Sequence, residues 1–155
     1  MATVEMSFTP LPVHVRTARL VATAVARRSG VEEALLDEVR LAVGEACSRA
    51  VEAHQAQCPA EPVRIELTGS DGRFEVVVTD AAIAAPDQAD SPPGPADGWA
   101  GHAVANGDSA HTPGGFPLEG LGLAVIAGLA DDVQFTRTSA GLSIRMSWPS
   151  GGTTR

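Results

Sequence analysis

Glu45 and Arg49 stand four residues apart in the run from Asp37 to Gln55, D-E-V-R-L-A-V-G-E-A-C-S-R-A-V-E-A-H-Q. Helical spacing sets this acid and base on one face, with the acid N-terminal, the favourable order for an ion pair. A carboxylate so placed is a general base only where its surroundings tune it; otherwise it is a solvated helix acid paired with Arg49. Asp80 closes the apolar run V-V-V-T-D. It offers a second carboxylate, able to accept from a ligand or simply to cap a turn. Gly120 and Gly122 in E-G-L-G-L-A-V-I open an apolar helical segment, where backbone amides can approach an anion. The same glycines also suit a plain loop-to-helix junction.

Composition narrows the chemistry further. The chain has 155 residues, and every one of its eleven basic residues is Arg. Without Lys, neither a catalytic lysine nor a phosphate-loop lysine is available. A net charge of −8 argues against direct nucleic-acid binding, which needs clustered basic side chains. Two cysteines, Cys47 and Cys58, make neither a disulfide framework nor a metal-ligand cluster, and Cys47 falls on the apolar side of its helix. No run reaches the ~20 apolar residues of a membrane span, and the N-terminus lacks a leader pattern. A cytoplasmic protein is expected.

The elements that must position these groups follow from periodicity. Val4, Met6 and Phe8 alternate as in a half-buried strand, and T-P-L-P breaks it. Helical spacing predicts a first helix over 13–29, stopped by Gly30, and a second over 32–55. Leu36, Val39, Val43, Cys47, Ala50 and His54 form the core stripe of the second helix. Val63, Ile65 and Leu67 start a hairpin that turns at Asp71-Gly72 and returns over 74–80. Residues 84–118 are rich in Pro, Gly and Asp without a period, the signature of a disordered segment or a lid. A helix over 120–132 and a hairpin over 133–148, turning at Ser139-Ala140-Gly141, complete one domain over 1–150, and 149–155 reads as a loose tail. The order predicts an α+β fold: a two-layer sandwich with helices on one face of a mixed, mostly antiparallel sheet.

With L-A-V-G-E-A-C-S-R-A-V, V-V-V-T-D and E-G-L-G-L-A-V-I in this order, the chain resembles the bacterial anti-sigma factor serine kinases, of the histidine-kinase-like ATPase superfamily. The likeness runs from about Val4 to Trp148, except for the loop. It implies that Glu45 stands at the general base, Asp80 at the adenine-reading acid, and Gly120 and Gly122 at the phosphate segment. It also implies that Arg19, with neighbouring Arg16, meets a partner: an anti-anti-sigma protein, a sigma factor, or both. Homodimers occur in the family, although no residue here requires one.

Three departures bear on the reaction. The family's Mg²⁺-binding Asn is replaced by Arg49, which has donors only and a fixed positive charge. Ala82 and Ala84 occupy positions where the family has glycines after the Asp. The segment at the lid, 84–118, contains no Lys or Arg. These losses predict a regulatory binding protein without kinase activity and with no cofactor, its Glu45 vestigial and its ATP site, Arg49 included, vestigial or altered. The alternatives are an ATP- and Mg²⁺-dependent serine kinase using Glu45, and a nucleotide-sensing domain. A metal-free complex with Arg49 gripping a phosphate belongs with the latter.

Overall fold

The computed structural model describes residues 2–82 and 118–151. In chain order these form β1 (Ala2–Phe8), α1 (Pro12–Arg28), α2 (Glu33–Gln57), β2 (Val63–Ser70), β3 (Arg73–Thr79), α3 (Leu118–Leu129), β4 (Asp132–Thr138) and β5 (Gly141–Pro149). The five strands make one sheet in the order β1-β2-β3-β5-β4, and all four pairings are antiparallel. The fold is the expected α+β sandwich, with a sheet that is wholly antiparallel among the described residues.

Alternation decides which face of the sheet is covered. Val63, Ile65 and Leu67 on β2, Phe74, Val76 and Val78 on β3, and Leu142, Ile144, Met146 and Trp148 on β5 are all buried. Between them Arg64, Glu66 and Arg145 point to the other face and are exposed, as in an antiparallel sheet with one wet side. The helices supply the second layer. Every residue of the predicted α2 stripe, from Leu36 to His54, is buried. Phe74 and Trp148 stack across the β3–β5 pair with ring centroids 6.2 Å apart. The Trp148 indole N–H donates to the Leu129 carbonyl at 3.0 Å, tying the end of α3 to the sheet.

Local signals account for the ends. Pro12 sits in the first turn of α1, where its missing N–H costs nothing, and Arg27 and Arg28 lie at the negative end of the helix dipole. Gly30 stops the helix with φ +89°. Val31 N–H reaches the Ala26 carbonyl and Gly30 N–H the Arg27 carbonyl, both about one helical turn back, a Schellman cap. The Asp71-Gly72 turn has φ of 50° and 76°, both positive as a two-residue hairpin of this twist requires.

Two boundaries differ from expectation. Helix α3 runs from Leu118 to Leu129 rather than over 120–132, so Gly120 follows its first residues instead of opening it. The chain beyond Pro149 does not come away at once: Ser150 N–H donates to the Gly72 carbonyl and Gly151 N–H to the Gly30 carbonyl, each at 2.8 Å. Residues 152–155 and the segment predicted as a lid, apart from Leu118, lie outside the described residues. No described helix is long and apolar enough to cross a membrane.

Candidate functional site

Asp80 follows directly on β3 and keeps the inward alternation of Phe74, Val76 and Val78, so its carboxylate enters the layer between sheet and helices. It is 4% exposed, and a buried charge must be compensated. Oδ1 accepts from Ala82 N–H at 3.0 Å and from Leu142 N–H at 3.3 Å. The first contact closes an Asx turn, the second locks the strand end to β5. Oδ2 faces the guanidinium of Arg49, which approaches from α2 to 3.5 Å. Arg49 is itself mostly buried, its side chain 17% exposed.

Arg49 therefore pairs with Asp80, and no i,i+4 ion pair with Glu45 forms among the described residues. Burial explains the choice. A carboxylate shut between layers gains more from a cation than one that water already solvates. Glu45 is half-buried one turn earlier on α2, and forms no ion pair or hydrogen bond among the described residues.

The segment after Asp80 is gripped by a residue the sequence did not single out for chemistry. His54, fully buried, lies 2.8 Å through Nε2 from the Ala81 nitrogen and 2.9 Å through Nδ1 from the Glu61 carbonyl. Across the sheet, Gly141 has φ +140°, and a Cβ there would overlap the Asp80 carbonyl oxygen. Only glycine lets β5 pass so close. A histidine on an otherwise apolar buried stripe, and a glycine at the hairpin turn, were the available signals for these two positions.

Of the other predicted residues, Ala82 is buried beside Asp80, while Ala84 lies outside the described residues. Gly120 falls in the first turn of α3, where amides lack an intrahelical acceptor, and Gly122 falls beyond it. Arg16 is exposed on α1. Arg19 is half-buried, its stem laid across α2 at Gly44, where an added Cβ would sit 2.8 Å from the Arg19 Cδ. Its Nε is buried without a hydrogen-bond partner among the described residues. Its charge also reaches Cys47: burial pushes that thiol up to about 12, and Arg19 pulls the other way.

A two-layer sandwich of this order, with Asp80 ending an inner strand beside the long helix α2, defines the histidine kinase-like ATPase class. The model of the histidine kinase-like ATPase domain matches residues 8–148, and the chain belongs to that family. None of the curated proteins matches it.

Proposed function

We propose that the chain is a regulatory protein of the anti-sigma factor type, acting in the cytoplasm by holding a protein partner rather than by phosphorylating it. The partner would be an anti-anti-sigma protein, a sigma factor, or both. The observation that carries this reading is the state of Asp80. The carboxylate expected to read adenine already meets two backbone N–H groups and the Arg49 guanidinium. Position 49 presents N–H donors where a magnesium triphosphate needs an oxygen ligand, so these residues do not fit that group. Glu45 would stand at the family's general base, but with donors only at position 49 no metal ligand would help to hold a phosphoryl group against it.

Helix α1 supports the binding half of the proposal. It contains Arg16, Arg19, Arg27 and Arg28 and no acidic residue. Val13 is 67% exposed and Leu20 59% exposed, one heptad apart on the same side as Arg16. Exposed apolar residues among arginines suit a partner surface that is apolar at its centre and acidic at its rim.

Two measurements test the two halves. Thermal unfolding with ATP, ADP and Mg²⁺ should leave the midpoint unmoved, since a ligand binding only the native state must raise it. A clear rise with Mg-ATP, or phosphoryl transfer to a partner serine, would restore the kinase reading. Co-purification from the native host should recover an anti-anti-sigma or sigma protein, and the Arg16→Glu, Leu20→Asp double variant should lose it. Unchanged recovery by that variant would remove α1 as the binding surface.

A further inference from the structure

His54 is the one buried imidazole in the sandwich among the described residues, and both of its nitrogens are engaged by backbone. Ala81 N–H can only donate, so Nε2 must carry a lone pair. The Glu61 carbonyl can only accept, so Nδ1 must carry the proton. The surroundings therefore specify a neutral ring in one tautomer. An imidazolium has two donors and no acceptor, and would set N–H against N–H at Ala81.

We propose that His54 is a proton-operated latch on the Asp80–Ala82 segment. In the neutral form it pins Ala81 to α2, and with it the turn that presents Asp80. On protonation the pin is lost, and the segment is held to α2 by the Arg49–Asp80 contact. The two grips come from the same helix, Arg49 on the carboxylate and His54 on the next amide. Releasing one loosens the anchor of the other. The charged and titratable groups tied to this corner are Asp80, one residue before Ala81, Arg49, paired with it from α2, Glu61, whose carbonyl meets the ring, and Cys58, just past the end of α2. Cys58 records this neighbourhood: its thiol is raised by burial first, and then by Glu61 and Asp80. On the α1 side, the neighbouring Gln55 side chain bonds the Pro10 carbonyl and brings no charge.

The latch acts on the chain alone, whatever partner or nucleotide the protein takes, and the test uses the isolated full-length protein. Nitrogen-15 spectra near neutral pH should show a through-hydrogen-bond coupling between the Ala81 amide and His54 Nε2, with the ring proton on Nδ1. Acidification through the ring's own titration, followed by its nitrogen-15 shifts, should abolish the coupling and lower the Ala81 protection factor, its exchange relative to an unstructured amide at the same pH, about tenfold, the scale of one lost hydrogen bond. His54→Gln, which retains one acceptor and one donor, should keep Ala81 protected on both sides of that titration. His54→Leu should leave it unprotected on both. Should the leucine variant fail to fold, the loss of pH response in His54→Gln still supports the latch. A proton on Nε2 at neutral pH would overturn it, as would Ala81 protection that ignores the titration of the ring.

Discussion

Removing the Arg49 guanidinium tests how the buried end of β3 is held. At 3.5 Å and an effective dielectric of about 20, the gross attraction to Asp80 is about 5 kcal/mol. Most of that offsets the desolvation of two groups, one 17% and the other 4% exposed. Stripping one member from a buried pair costs about 3–5 kcal/mol when the survivor is stranded. Asp80 is not stranded, because Oδ1 keeps the amides of Ala82 and Leu142. Arg49→Met should therefore cost about 2 kcal/mol, which for a chain of this size lowers Tm by about 4–8 °C. Asp80→Asn should cost a similar amount, since it keeps an oxygen for the two amides but turns donors toward Arg49. Urea unfolding of wild type, both single variants and the double variant closes a cycle that separates the pair from whatever else Arg49 touches. The coupling should be about 1–2 kcal/mol, and should survive added salt because the pair lies inside the layer. A coupling below about 0.3 kcal/mol would refute the claim that this contact organises the site.

Gly141→Ala should lose more than about 3 kcal/mol, read from the urea midpoint, because φ +140° and the overlap with the Asp80 carbonyl act together; a loss under about 1 kcal/mol would contradict the close approach. Cys47 predicts an alkaline limb. Its thiol is held protonated up to about 12 in the fold against 9.0 for the free group. Its contribution is thus fully present below 9.0 and lost as pH rises toward 12. Within that window stability should fall by up to about 1.4 kcal/mol per pH unit from this group. Cys47→Ala should flatten the slope, although it lowers stability at neutral pH; an unchanged slope would assign the limb elsewhere.

Most of the fold is legible in the residue pattern, because periodicity records which side of an element is buried. The α2 stripe, both hairpins and the Asp71-Gly72 turn all carry their signal in the side chains themselves. The candidate site was legible only in part. Glu45 and Arg49 suggested a helical pair, since that rule is local. Among the described residues Arg49 instead reaches Asp80, 31 positions along, brought near only when the sheet closes on the helix. His54 looked like one more member of an apolar stripe because its partners, Ala81 N–H and the Glu61 carbonyl, are backbone atoms and leave no trace in residue type. Gly151 carries no signal in the sequence for the same reason: its bond to Gly30 joins two stretches of main chain.

Helix α1 holds four of the eleven arginines and no acid, in a chain whose net charge is −8. Without those four arginines the net −8 becomes −12 for the rest of the chain, so α1 is a basic pole on an acidic chain. An acidic partner approaching from any side would be turned toward that pole before contact, while a basic one would be turned away. The signature of such orientation is kinetic. Capture should slow steeply with ionic strength, and release, governed by the apolar centre of the contact, should hardly change.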